Sequence, residues 1–508
     1  MLADNWPLPK LLAGEELVGV QDLGEVEPAR LPSSLREVQR LASARNRSEV
    51  GDFGPVMASL GLDSASQNNA EQHRYEALFG RDSLRVALDL VDRYPKLART
   101  TLTTLAELQG MTTDSMREEE PGRIVHEARD PKKDPIARQL TKDRGWAWPY
   151  YGSVDATPEF IRTLAAYCSH NDRGMEFLSQ SYTGRDGRQH NMAEALQAAG
   201  QWIVRRLSAN AEGLLEFKRA NPGGLENQAW KDSPDAYCHA DGQLANHDYG
   251  IASIEVQRVA YDALLDAADL QDKHAGSATI TSRQLRTCAK NLRGTIMDSF
   301  WTDDQGGYFV LGTDRDSAGR LRQLKIKTSN MGHLLHSRLL DGDDPMIVHR
   351  REAVIKQLFS AEMLGLNGIR TLASDEIRYG PGAYHNGSVW IWDNYVISQG
   401  LSQLGYHNLA RCINNKLLND IASTRRFPEY LRGDNDRQRR LNQCTVDVYD
   451  HRNNFLNHLE QPPQDIQAWS VAAILSLKLR RAGGQHQTVN HQKLVLERSL
   501  LGDDLLKV

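Results

Sequence analysis

Residues 384–422 read YHNGSVWIWDNYVISQGLSQLGYHNLARCINNKLLNDIA. A loop of aromatic, amide and glycine residues leads into a run with little polar surface, GSVWIWDNYVISQGLSQL, beginning at Gly387. A more polar run follows over 408–422, with Leu409, Ile413, Leu417 and Ile421 four apart. Apolar residues at that spacing mark one face of an amphipathic helix, whereas a helix apolar around most of its girth is buried on most sides. The stretch is therefore a hairpin of an inner, buried helix and an outer, half-exposed one.

The same alternation runs along the chain. Inner helices open near Arg81 (RDSLRVALDLV), Ala156 (ATPEFIRTLAAYC), His247 (HDYGIASIEVQRVAYDALL), Asn330 (NMGHLLHSRLL), Gly387 and Asp465 (DIQAWSVAAILSLKL). Outer partners are expected over 35–44, 96–108, 191–207, 282–297, 347–359 and 408–422. Thr157 before Pro158, Ser388 and Asp465 have the chemistry of N-caps. Six buried and six amphipathic helices have one natural arrangement, a ring of inner helices covered by the outer set, so the fold expected is an all-α (α/α)6 barrel. Its expected bounds are an N-terminal arm over 1–32, the barrel over 33–482 and a tail over 483–508 that forms a short packed helix or frays. One interruption, 111–148, is too long for a connector and reads as an active-site loop or lid. Its charged part, 117–133, reads as a solvated face. A β-hairpin is expected over 306–324.

Composition narrows the function. With 61 basic and 66 acidic residues and a net charge of −5, the chain lacks the basic footprint of a nucleic-acid binder. Five cysteines without a C-x-x-C pair argue against a disulfide framework or a zinc ribbon. No H-E-x-x-H, Walker loop, dinucleotide glycine turn or G-x-S-x-G elbow occurs, so no metal or cofactor is expected. No run approaches 18 uninterrupted apolar residues, and the N-terminus has no basic segment followed by an apolar one. The sequons at Asn46 and Asn386 are then coincidental, and a cytoplasmic location with no membrane partner is expected.

The residues that could carry chemistry sit in the loops that enter the inner helices. They are Phe79–Asp82, His126-Glu127, 146–151 with Asp155, Trp230-Lys231-Asp232 with Asp235, Tyr384-His385-Asn386 with Trp390 and Asp393, Glu429-Tyr430, and Trp469. Trp and Tyr faces stack on the C–H face of a pyranose while carboxylates, Arg and Asn pair with its hydroxyls, so the set suits a small carbohydrate substrate. Glycosidic cleavage needs two carboxyl groups flanking the bond. Trp230, Trp390 and Trp392 are the expected pocket walls.

The ordered blocks ALFGRDSLRVAL (77–88), YYGSVDATPEFI (150–161), NQAWKDSPDA (227–236), EVQRVAYDAL (255–264), SNMGHLL (329–335), GIRTLASDEIRYGPGAYHNGSVWIWDN (368–394), FPEYLRGD (427–434) and QAWS (467–470) resemble bacterial amylo-α-1,6-glucosidase-like proteins. These are relatives of the glucosidase part of glycogen debranching enzymes, within the six-hairpin glycosidases. The resemblance spans roughly 70–480. It implies an inverting hydrolase of α-glucosidic linkages, with Asp232 as general acid and Glu429 as general base. It also implies sugar contacts from Arg81, Asp82, Asp155, His385, Asn386 and Asp393. The loop positions add His126, Glu127, Tyr151, Trp230, Lys231, Asp235, Tyr384, Trp390 and Trp469 as substrate-binding candidates, although Lys231 need not face the way Asp232 does.

Trp230 and Pro234 beside Asp232 are expected to desolvate its carboxyl and raise its pKa, as an acid requires. Arg425, Arg426 and Arg432 near Glu429 are expected to favour its ionised form. Glu376 and Glu127 are rivals for the base, and Asp82 could simply cap its helix. Three readings stay open: the hydrolase, a phosphorylase or epimerase on the same barrel, and a non-catalytic carbohydrate-binding protein. The glycoside, whether α-1,6-glucan, disaccharide, glucosyl solute or mannoside, is open too, as is the oligomeric state.

Overall fold

The protein is seen in a computed structural model that describes residues 57–60, 74–170, 173–274, 279–424, 427–434, 445–449, 455–460, 463–464, 466–481 and 491–501. The arm over 1–32 and the outer helix expected over 35–44 lie outside the described residues. The helices are α1 Gly80–Leu90, α2 Pro95–Glu107, α3 Pro135–Arg144, α4 Ala156–His170, α5 Met192–Leu207, α6 Ile254–Lys273, α7 Ser282–Ser299, α8 Pro345–Leu358, α9 Ile391–Gln403, α10 His407–Thr424, α11 Ala468–Arg481 and α12 His491–Leu501.

The inner set packs in a closed cycle: α1 on α4, α4 on α6, α6 on the segment Ser329–His336, that segment on α9, α9 on α11, and α11 back on α1. The outer helices cover the seams, α2 touching both α1 and α4, α5 both α4 and α6, and α10 both α9 and α11. The burial follows the sequence pattern: nearly every residue of α1 and every residue of α9 through Leu401 is buried. In α7 only the stripe Leu285, Ala289, Leu292, Ile296 and Met297 is buried.

One inner element departs from expectation. Ser329–His336 is a 3₁₀ helix, followed by a second short one, Arg338–Leu340. Close approach to α9 goes with this form. A Cβ on Gly400 would come within 2.4 Å of the Leu335 carbonyl carbon, and one on Gly332 within 2.8 Å of the Ile397 side chain. Polar ties replace the lost helical length: His333 Nε2 lies 2.6 Å from Asp393 at the start of α9, and Asn330 Nδ2 donates to Glu255 at the start of α6 at 2.8 Å.

Four inner helices are entered from two-residue strands rather than through side-chain caps. Leu78–Phe79 pairs with Glu127–Ala128, Ala252–Ser253 with Gly312–Arg315, Val389–Trp390 with Tyr430–Leu431, and Ile466–Gln467 with Ser59–Leu60. These strands hold the incoming loops at one end of the ring. They also correct the expected caps. Phe79 and Trp390 precede α1 and α9 in extended conformation with no cap bond. Ser388 Oγ instead donates to the Tyr384 carbonyl, and Thr157 Oγ1 accepts from Ile124 N at 2.9 Å. Asp465 lies outside the described residues. The strands Gly312–Arg315 and Leu321–Leu324 form the hairpin expected over 306–324.

The tail is part of the packing. Glu497 on α12 accepts from Asn408 N at 2.8 Å and Leu409 N at 3.3 Å, covering free amides at the start of α10. Lys493 donates to the Leu404 carbonyl at the end of α9 at 2.6 Å. Among the described residues, no helix is long and apolar enough to cross a membrane.

Candidate active site

The loops and first helical turns at that end of the ring enclose a cavity of about 470 Å³. Of the residues expected to form a site, Arg81, Asp82, His126, Glu127, Trp230, Asp232, Tyr384, His385, Trp390, Glu429 and Trp469 line it. The strand ladders explain why residues so distant along the chain meet. Glu127 is paired with Phe79, one residue before α1, and Glu429 immediately precedes the strand paired with Val389–Trp390.

The two carboxyls expected to act as acid and base are held in different ways. Asp232 Oδ2 accepts from Arg81 Nη2 at 3.1 Å, and its side chain is 28% exposed. Burial raises its pKa to about 6, with Arg81 working in the opposite direction. Glu429 is buried. Its Oε1 takes the Tyr384 hydroxyl, and its Oε2 accepts from Gln464 N at 3.2 Å. Burial pushes its pKa up to about 8 against those two hydrogen bonds. The arginines near Glu429 in sequence do not serve it: Arg432 pairs with Asp434 at 2.6 Å, and Arg425 and Arg426 lie outside the described residues.

A third carboxyl, Asp82, does not cap α1. It accepts from Gln467 Nε2 at 3.1 Å, and burial raises its pKa to about 7. Arg81 sits between Asp155 and Asp232, which it bonds at 2.9 and 3.1 Å. Burial opposes its charge, but Asp155, Asp232 and Asp82 more than offset that, so it stays protonated. His385 Nδ1 accepts from Ser233 N at 3.3 Å, which leaves the ring proton on Nε2, an atom with no partner among the described residues. Burial, with Lys231 and Arg81 nearby, keeps that ring neutral. His126 is likewise held neutral by burial and by Arg81 and Arg123. The aromatic wall is continuous: Trp390 stacks on His385 at 5.1 Å, and Trp230 meets Trp390 edge-on at 5.6 Å.

Six of the substrate-binding candidates do not line the cavity. Asp155 lies behind Arg81, bonding it at 2.9 Å. Tyr151 turns away and donates its hydroxyl to the Leu108 carbonyl at 2.6 Å. Lys231 is fully buried with Nζ on the Thr371 carbonyl at 2.6 Å, and burial lowers its pKa to about 8. Asn386 donates to the Asp235 carbonyl at 2.8 Å, so this pair ties two loops together. Asp393 holds His333. All six are supports of the pocket; Lys231, Asp235 and Asn386 face away because each is next in sequence to a lining residue, and neighbouring side chains on extended backbone point opposite ways. Trp392 lies deeper, stacked at 4.9 Å on Trp469. Glu376 accepts from Lys327 N at 2.9 Å and is not a lining residue.

Several lining residues were not anticipated: Tyr75, Gln467 and the arginines Arg74, Arg129, Arg144 and Arg219. Gln467 begins the QAWS block, which was the available signal for it; nothing local marked Tyr75. The reading of 117–133 as a solvated face holds for Asp130–Lys133, which are exposed, and is corrected for the part before them. Glu118, Glu119, Arg123 and Glu127 are all buried. Glu118 accepts from Ala220 N and Asn221 N at 2.8 and 2.9 Å, and Arg123 donates to the Ser153 carbonyl at 3.1 Å and Gln228 at 2.8 Å. The buried part of the segment is thus pinned to neighbouring loops, and it brings His126, Glu127 and Arg129 to the cavity. Among the described residues, no cluster of metal-binding side chains occurs.

No curated protein matches the sequence. The fold matches the crystal structure of a GH63 mannosylglycerate hydrolase from Thermus thermophilus in complex with Tris, with TM-score 0.54 and 13% identity over 88% of this chain and 100% of that one. The same enzyme in complex with glucose matches with TM-score 0.53 and 14% identity over the same shares. At such identity the likeness is one of fold, but residues 75–451 also match the family model described as the mannosylglycerate hydrolase MGH1-like glycoside hydrolase domain. The match supports this glycoside hydrolase family and not specifically the amylo-α-1,6-glucosidase group, and it spans every motif block except QAWS at 467–470. With the match running over most of the chain, this protein belongs to the MGH1-like glycoside hydrolase family.

Proposed function

We propose that the closed ring is an (α/α)6 barrel and that the protein is an inverting glycoside hydrolase, with Asp232 as general acid and Glu429 as general base. The observation that carries this is the placement of two differently supported carboxyls on one sugar-sized, aromatic-walled cavity. Asp232, partly open and resting on Arg81, protonates the departing glycosidic oxygen. Glu429, held at one oxygen by Tyr384 and at the other by the Gln464 amide, takes a proton from the attacking water. Asp82, Arg81 and the free Nε2–H of His385 are placed to bind hydroxyls of the sugar.

At about 470 Å³ the cavity lies toward the small end of ligand sites, which run from roughly 300 to 1,000 Å³, and so favours a compact glycoside over a branched polymer. Among its lining arginines Arg129 is buried, while Arg144 and Arg219 are exposed. Arg129 is committed to Asp134 at 2.9 Å and Arg219 to Glu226 at 2.9 Å, while Arg144 makes no ion pair among the described residues. An α-hexoside with a small acidic leaving group fits this lining, and the mannosylglycerate hydrolases of like fold support that class. Whether the hexose is glucose or mannose is decided by a panel of α-glucosylglycerate, α-mannosylglycerate, isomaltose and a neutral glycerol glycoside. Release of hexose from the acidic conjugates in preference to the neutral ones supports the reading. Release from isomaltose alone rejects the acidic-aglycone part, and release from none rejects the hydrolase.

A further inference from the structure

Arg81 has two amino groups, and they go to two different carboxyls. Nη1 donates to Asp155 Oδ2 at 2.9 Å and Nη2 to Asp232 Oδ2 at 3.1 Å. A guanidinium frequently offers both to one carboxylate, as a paired fork. A fork closed on Asp232 would hold it firmly ionised, whereas a general acid must carry a proton.

Asp155 keeps the fork open. It lies one residue before α4, outside the cavity lining. Its own orientation is set by Ser153, whose Oγ donates to Oδ1 at 2.5 Å and leaves Oδ2 for Arg81. Among the described residues its carboxyl has no other hydrogen bond. Arg85, Glu159, Glu255, Arg258 and His333 share with it the lining of a small cavity of about 30 Å³, but none of them bonds it.

Asp232 faces Arg81 and Asp82 from α1, Asp155 from the entry to α4, Tyr75 from before α1, Tyr384 from before α9 and Glu429 from after α10. Arg81 is the cation of this set; His385 is neutral, and Lys231, next in sequence, is turned to the Thr371 carbonyl. The charge of Asp155 opposes the effect of Arg81 on Asp232.

Resting on the assignment of Asp232 as the acid, we propose that Asp155 is a positioning residue: it takes one amino group of Arg81, so that Asp232 receives a single hydrogen bond and remains able to carry the proton it donates.

The test is Asp155→Asn, whose amide oxygen can still accept from Arg81 Nη1. Loss of the carboxylate charge and closure of Arg81 on Asp232 both favour ionised Asp232. For an unactivated glycoside the acidic limb of kcat/KM, near pH 6, should therefore move down by about one pH unit. The height of the profile should fall about tenfold, because less of the single proton held by the pair resides on Asp232, and the alkaline limb should stay in place. A glycosyl fluoride, which leaves without a general acid, should be hydrolysed as by the wild type. An acidic limb that stays or moves up overturns the proposal, as does an equal loss on the fluoride, which is what a purely structural role would give. Should the variant fail to fold, the unaltered enzyme decides: its crystal structure should show Arg81 touching both carboxyls, and a guanidinium paired with one of them alone overturns the sharing. Asp232→Asn separates this from the wider assignment. If it cleaves the unactivated glycoside at the wild-type rate, Asp232 is not the acid and the proposed function fails. If it has lost that activity while Asp155→Asn leaves the limb in place, only the role of Asp155 fails.

Discussion

Replacing Asp232 by Asn should move activity and stability in opposite directions. The carboxyl is raised from 3.8 to about 6 by burial, so keeping it ionised at neutral pH costs folding about 1–3 kcal/mol, with its partial exposure placing the value toward the lower end. Asparagine removes that charge and keeps an oxygen that can accept from Arg81. Arg81 in turn retains Asp155 at 2.9 Å, so no buried cation is orphaned. The variant should therefore melt at or above the wild-type temperature at pH 7. The sign follows from the direction of the shift. A folded-state value above the unfolded one means protonation favours folding, so the wild type carries no penalty well below pH 3.8 and its full penalty above about pH 6. The Tm advantage of the variant should open across that window and stay level above it. Turnover of an unactivated glycoside should fall by roughly 10²–10⁴, the worth of a general acid, while a glycosyl fluoride is hydrolysed almost as before. Calorimetry against pH and fluoride-ion release measure the two sides. An equal loss on both substrates, or a Tm below wild type at pH 7, would refute the reasoning.

Other outcomes follow from the same geometry. For an unactivated glycoside, kcat/KM should be bell-shaped with limbs near pH 6 and pH 8, the values of Asp232 and Glu429; they sense each other's charge, so the single proton between those limits belongs to the pair. A profile flat across both limbs contradicts this. Arg144→Met should raise KM about two- to fivefold for an acidic glycoside, the worth of an exposed ion pair, and leave a neutral glycoside unchanged. Gly400→Ala should destabilise by about 1–3 kcal/mol, since its Cβ meets backbone, whereas Gly294→Ala in α7, with open space around it, should raise Tm slightly.

The alternation of buried and amphipathic helices was legible because burial on all sides versus one side leaves a direct mark on composition. α9 and α10 show it most plainly, and the closed packing cycle follows from it. The shortening of the fourth inner element to a 3₁₀ helix was not legible. It depends on Gly400 and Gly332 meeting across two elements, which no local pattern encodes. In the site, aromatic and carboxylate residues at loop ends were found by position, but their facing was not. Asp235, Asn386 and Lys231 lie in the same blocks as Asp232 and His385 and point the other way. The first half of the charged run over 117–133 misled for a related reason. Glu118 and Arg123 are buried because their partners, Ala220, Gln228 and Ser153, come from other loops, whereas Asp130–Lys133 are exposed as their charge suggested. The electrostatics of Glu429 fail in sequence for the converse reason: Arg432 is close along the chain but spent on Asp434, and the effective donor, Tyr384, is 45 residues away.

Two carboxyls flanking one bond, with water activated on the face opposite the leaving group, invert the anomeric carbon. Proton NMR of the hexose released in the first moments from an α-glycoside reads that outcome before mutarotation obscures it. The proposed roles of Asp232 as acid and Glu429 as base predict β anomer first. α anomer first would show retention and contradict the assignment of Glu429 as a base acting through water.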